Sequence, residues 1–305
     1  MLFQSVPIST HHPDHRTPIW YRRRNRIAKT LRIANRAAAY LLLIILVSSM
    51  ALPLFWMLMS SLKTDGELLS YPPTIFPQKW TLEHYRILFD TTLFPIWFRN
   101  SLLVSIGTTL TSIAVSVAGA YAFSRFRYRA FEVFSRVILF AYMVPRVLLL
   151  IPVFKIIYSL KLNDSLYGLL LTNNAFLIPY GLWTLRSYFA GIPHEIEEAA
   201  WIDGCSRWRA FVHAVLPQAL PGIISAALFA FHVAWNEYLF SSVLLWSSNH
   251  QTLSAGVATF MGKVGPNSWG LLMAASVMIT LPVVILFSFM QSFLVAGWGG
   301  GAVKG

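Results

Sequence analysis

The side chains able to do chemistry in this chain are few and clustered. The stretch 195–204 reads EIEEAAWIDG, three carboxylates in four positions followed by small residues and a glycine. Trp235, Asn236 and Glu237 set a ring, an amide and a carboxylate side by side in an apolar run; Asn173 and Asn174 place two amides in another, and Arg146 interrupts a third. Carboxylates, amides and stacked rings can bind a polar solute, so 235–237 and 173–174 are candidates for lining a pathway; the alternative is hydrogen bonding between helices. Ionisable groups inside a bilayer are expensive, which makes Arg146 and Glu237 functional candidates, with pairing to a carboxylate of another subunit the structural alternative for Arg146. Covalent chemistry is poorly served. The eight histidines lack paired-ligand spacing, and His11, His12 and His15 lie in a polar, proline-containing tail. A single cysteine, Cys205, excludes an internal disulfide and any multi-cysteine metal site. No G-x-x-x-x-G-K-[ST] run is present, and the glycine-rich AGWGGGAVKG at 296–305 lacks the following helix that would hold a phosphate.

The elements that must position these groups follow from composition. The chain has 305 residues, 56% hydrophobic and only 12% charged, about half the charged share of a soluble domain. A helix crossing about 30 Å of hydrocarbon needs roughly 20 apolar residues. Stretches 37–59, 101–124, 165–185 and 215–236 carry no Asp, Glu, Lys or Arg; 264–303 contains a further candidate, and 137–154 is broken only by Arg146. The expected fold is therefore an all-α integral membrane protein with six transmembrane helices. Basic residues fix its orientation. Residues 1–36 hold eight Lys or Arg and 125–136 four; Arg186, Arg207, Arg209 and Lys304 fall on the same side. Seven lie on the other, so N and C termini are expected in the cytoplasm and 62–100 outside. The net charge of +12 then needs no nucleic-acid partner, because the basic segment can lie on anionic lipid. It resembles the start of a signal peptide, but the apolar run that follows is too long and Ser49-Met50-Ala51 is a poor cleavage site, so it is expected to be retained.

The external segment 62–100 has prolines at 72, 73, 77 and 95, which favour extended pieces and turns with one short helix near 82–89. It would either cap the outer mouth or touch a partner. The inner segment 187–217 is patterned more strongly. Pro193 suits a helix start, Glu195, Glu197 and Glu198 follow where the positive helix end favours anions, and Gly204 stands where a helix ends in a left-handed turn. Ile196, Ala199, Ala200 and Asp203 share one face. Trp208, Phe211, Val212 and Val215 then repeat at helical spacing, with Ser206 as cap and Pro217 as the expected end. Interfacial helices usually present Lys and Arg to headgroups; this one presents glutamates and alanines, which favours docking of a protein surface.

These residues carry a family resemblance. Glu198-Ala199-Ala200, three residues, Gly204, nine residues and then Leu216-Pro217 within AVLP resembles the EAA signature of ATP-binding-cassette importer permeases. MVPRVLLLIPVF at 143–154, LNDSLYGLLL at 162–171, WNEYLF at 235–240 and GAVKG at 301–305 are similar to the carbohydrate-uptake branch, in particular its maltose-type smaller permease; residues 1–30 lie outside the likeness. Ala214 and Arg146 stand where the family usually has a larger aliphatic and a smaller residue.

The resemblance implies a non-catalytic permease domain over 37–296, with a basic segment 1–36 and a tail 297–305 in the cytoplasm. It implies ATPase coupling through Glu198, Ala199, Ala200, Asp203, Gly204, Leu216 and Pro217. Its implied partners are a second permease subunit, two ATPase subunits that bind ATP and Mg, an external solute-binding protein and a carbohydrate or polyol. A glycerol-phosphate-type ester is the alternative cargo. A secondary transporter is disfavoured, since no two related halves appear.

Overall fold

A computed structural model of the chain describes residues 19–126, 128, 129, 131, 133, 137, 138, 143–264 and 269–299. The histidine-bearing tail, positions 139–142 of the third expected span and the terminal GAVKG lie outside the described residues. Among the described residues every regular element is helical: α1 Ile19–Ser61, α2 Asp65–Leu68, α3 Glu83–Asp90, α4 Phe94–Arg125, α5 Leu150–Ser159, α6 Leu166–Ala190, α7 Glu195–Ile202, α8 Arg207–Ala210, α9 Leu216–Trp235, α10 Leu239–Leu244, α11 Leu253–Val264 and α12 Trp269–Gly299. The chain divides after Trp56 into two units. The first contains most of α1, which joins the basic segment and the first apolar run in one helix.

Four described helical stretches are long and apolar enough to cross a membrane: Asn35–Ser61, Phe94–Arg125, Arg207–Trp235 and Trp269–Gln291. They coincide with four of the six expected spans. The 165–185 run forms α6, whose 25 residues correspond to roughly 37 Å of helix. The 137–154 stretch differs from the single helix expected of a span. A bend at Val144 leads into a 3-10 turn at Arg146–Leu149 and then the short α5. Pro145, which lacks an N–H and restricts Val144 before it, accounts for the break.

The second unit is built on α4 against α6. Ser101, Ser105, Thr108, Ser112 and Ser116 recur every three or four residues along α4 and are all buried. Small side chains let the two backbones approach closely. Gly181 of α6 meets this row, because a Cβ there would lie 2.4 Å from the Ser116 hydroxyl. Two apolar clusters mark the ends of the unit. Phe94, Trp97, Leu88, Phe231, Trp235 and Leu271 pack together where α4 begins. Ala120, Leu185, Phe189, Phe211, Val215 and Ala219 pack where it ends. The 162–165 and 246–252 loops gather at the first end: the Trp97 indole donates to the Ser248 carbonyl at 2.7 Å, and the Asn100 amide donates to the Asn249 and Gln251 carbonyls, both at 2.9 Å. Segment 187–217 gathers at the other.

Candidate coupling hairpin and pathway residues

α7 begins at Glu195 and places Glu195, Glu197 and Glu198 in its first turn, as the sequence suggests. It ends in a Schellman turn. The Gly204 N–H donates to the Trp201 carbonyl at 3.0 Å, and the Cys205 N–H to the Ala200 carbonyl at 2.9 Å. Gly204 has φ +84, the left-handed conformation expected of it. Ser206 then caps α8 by accepting the Arg209 N–H at 3.4 Å. The expected stop at Pro217 does not occur. A π-turn at Phe211–Val215 carries α8 straight into α9, with Pro217 in the first turn of α9. The π-turn shifts the bonding register and absorbs the donor that proline lacks. The hairpin's second arm is thereby continuous with a long apolar helix, which Leu216 helps anchor by packing on the cluster at the Arg125 end of α4.

The three glutamates part company in space. Glu198 is exposed, as are Ala199, Asp203 and Gly204, while Ala200 is partly covered. Ile202 and Trp208 stand out at 86% and 71% exposure. Glu197 turns inward and is buried. It forms an ion pair with Arg125, the last residue of α4, and accepts the Tyr121 hydroxyl at 3.0 Å. Arg125 also donates from Nη2 to the Ile192 carbonyl at 3.2 Å. In the sequence Glu197 is indistinguishable from Glu195 and Glu198, and nothing local marks this role. The signal in the sequence is the first arginine after an uncharged run of 24 residues, on the same side as the acidic turn.

The suggested pathway residues differ in their surroundings. Trp235 is buried, stacks on Phe231 at a 5.7 Å centroid separation and donates its indole N–H to the Ile279 carbonyl at 3.1 Å. That is the interhelical alternative. Asn236 is exposed and its amide donates to the His232 carbonyl one turn back, at 2.9 Å. The buried Glu237 accepts the backbone N–H groups of Phe240 and Ser241, each at 2.8 Å, holding the start of α10. Asn174 accepts from Thr111 at 3.0 Å and donates to the Leu170 carbonyl at 2.9 Å. Asn173 is buried with its amide nitrogen unpaired among the described residues. The Arg146 guanidinium lies 5.1 Å from the Phe176 ring and within Coulombic reach of Glu237 in the same chain.

This helical bundle, with long apolar helices and a two-armed hairpin at one end, is that of a membrane permease of the ATP-binding-cassette importer class. Residues 112–299 match the family of binding-protein-dependent transport system inner membrane components, and the chain belongs to that family. It is similar to the inner membrane ABC transporter permease protein YcjP of Escherichia coli, at 38% identity over 92% of this chain and 100% of that one. It is also similar to the trehalose/maltose transport system permease protein MalG of Thermococcus litoralis, at 37% identity over 83% of this chain and 91% of that one, and to the diacetylchitobiose uptake system permease protein DasC of Streptomyces coelicolor, at 33% identity over 86% and 95%. Among solved structures, a chain of a bacterial ABC transporter that imports the acidic polysaccharide alginate superimposes with TM-score 0.72 at 25% identity, covering 86% of this chain and 96% of that one.

Proposed function

We propose that this permease subunit moves a di- or oligosaccharide or a related polyol into the cytoplasm, and that the 187–217 hairpin receives the stroke of separate ATPase subunits. The relatives named for trehalose/maltose and diacetylchitobiose favour a carbohydrate cargo. The observation that carries the coupling reading is the two-faced hairpin. Its inner face is packed into the bundle through Phe211 and Val215, while its outer face offers Glu198, Ala199, Ile202, Gly204 and Trp208. Exposed apolar side chains around small residues and a carboxylate suit a protein cleft better than water.

In this reading ATP and Mg are bound by the partner subunits, whose closure pushes the hairpin and turns the bundle from inward-open to outward-open. The chain works with a second permease subunit, two ATPases and an external solute-binding protein. Both termini lie in the cytoplasm and the 62–100 segment lies outside. The assembled complex, reconstituted in vesicles, should take up one of labelled maltose, trehalose or diacetylchitobiose in an ATP-dependent manner and leave it chemically unchanged. Uptake of labelled glycerol 3-phosphate alone would favour the ester alternative, and uptake without the ATPase would overturn the reading.

A further inference from the structure

The sequence offers Glu195, Glu197 and Glu198 as equivalent anions at a helix start, yet one of them is withdrawn from that role. Glu197 is buried against α4, with only 4% of its side chain exposed and 6% of that of its partner Arg125. One carboxylate oxygen takes the Arg125 guanidinium and the other takes the Tyr121 hydroxyl. Arg125 spends a further donor on the Ile192 carbonyl, just ahead of α7. The Tyr121 ring packs at 4.4 Å from Phe211 and 5.9 Å from Phe189, centroid to centroid. One turn of α4 therefore grips both arms of the hairpin and the end of α6. A buried charge is tolerated only when paired and fully hydrogen-bonded, and such a network has few alternative geometries.

We propose that Glu197 is a positioning residue, which through Arg125 and Tyr121 locks α7 to the inner end of α4 so that a push on the hairpin moves the transmembrane helices. The Schellman turn at Gly204 is exposed, and without an anchor on its first arm a short helix of eight residues would absorb displacement by local tilting. The second arm needs no such device, being continuous with α9. This inference rests on the hairpin being the coupling element.

The test uses the full chain co-purified with its partner permease. Hydrogen exchange on Glu197→Gln should show the 195–204 amides exchanging at least about fivefold faster, since a coupling energy of 1–3 kcal/mol is worth that factor. Exchange within α4 over 101–116 should stay at the wild-type rate. ATPase co-purification should fall by a similar factor. Arg125→Lys, which keeps the charge and loses the planar fork, should give a smaller rise at the same amides. Should Glu197→Gln not be recovered folded, Tyr121→Phe, lacking one hydroxyl, carries the same measurement. Unchanged exchange at 195–204, or an equal rise throughout α4 and α6, would overturn the proposal, the latter pointing to a general folding role. Because exchange is read without the ATPase, its failure is separate from failure of the coupling reading, which Glu198→Lys addresses.

Discussion

Asp164 holds Ser247 twice: one carboxylate oxygen accepts its backbone N–H at 3.0 Å and the other accepts its hydroxyl. The first oxygen also takes the Trp246 N–H at 3.0 Å, and His250 approaches the second at 3.2 Å. A residue at φ +52 on the 161–165 loop thus fastens the 246–250 loop. Partial burial pushes the Asp164 carboxyl up, but the Ser247 hydroxyl and N–H, with His250, outweigh it and hold the group below the usual carboxylate range.

A carboxylate depressed in the folded state stabilises above its unfolded pKa, about 3.9, and the contribution fades as pH falls through the folded value. Asp164→Asn tolerates the left-handed backbone, removes the charge and turns one of the two accepting oxygens into an amide donor. The detergent-solubilised protein should melt about 2–4 °C lower at pH 7, with the gap from wild type closing below about pH 4. A gap independent of pH would mean that the charge is not what fastens the loop.

Close approach of α4 and α6 depends on Gly181. Gly181→Ala would bring a methyl group to 2.4 Å from the Ser116 hydroxyl and 2.8 Å from its Cβ, costing about 1–3 kcal/mol. Ser116→Gly in the same chain should restore most of the loss in thermal unfolding. Failure of the second change to rescue would place the strain elsewhere.

Glu237 and Asn236, adjacent in sequence, should behave differently. Glu237→Ala strands two buried backbone donors, at about 1–3 kcal/mol each, so the yield of assembled complex should drop. Asn236→Ala removes only an exposed amide bonded to its own helix, so assembly should persist while ATP-driven uptake of labelled maltose, trehalose or diacetylchitobiose slows. Wild-type uptake by Asn236→Ala would remove it from the pathway.

For topology, Cys205→Ser leaves a chain without cysteine. In that background an impermeant maleimide applied to intact cells should label Ser70→Cys or Thr81→Cys and spare Ser206→Cys. Labelling at 206 would reverse the assigned sides.

The elements most legible in the sequence were those governed by local rules. The uncharged run behind α4 and the glycine that closes α7 both appear where composition and turn chemistry place them. What escaped were features decided by bonding register and by contacts remote in sequence. Pro217 reads as a stop, yet a π-turn one step earlier lets the helix continue. Pro145 reads as part of a span, yet the helix breaks there. Trp235 and Glu237 read as pathway groups because their residue types suit sugars, but their partners are carbonyl and N–H groups of this chain, invisible to periodicity. The inward turn of Glu197 depends on Arg125, 72 residues away.

The central claim is that EIEEAAWIDG couples this permease to its ATPase. A Cβ at Gly204 would meet no atom within 4 Å, so the main cost of Gly204→Val is the backbone's, on the order of 1–2 kcal/mol for a β-branched residue at positive φ. Glu198→Lys reverses an exposed charge at the start of α7 without touching the buried anchor. The most direct measurement is co-purification of the ATPase with each variant, followed by ATP turnover stimulated by the loaded solute-binding protein in reconstituted vesicles. The account predicts a normally inserted bundle with both quantities reduced at least about fivefold. Wild-type values for both variants would show that the hairpin is not the coupling element.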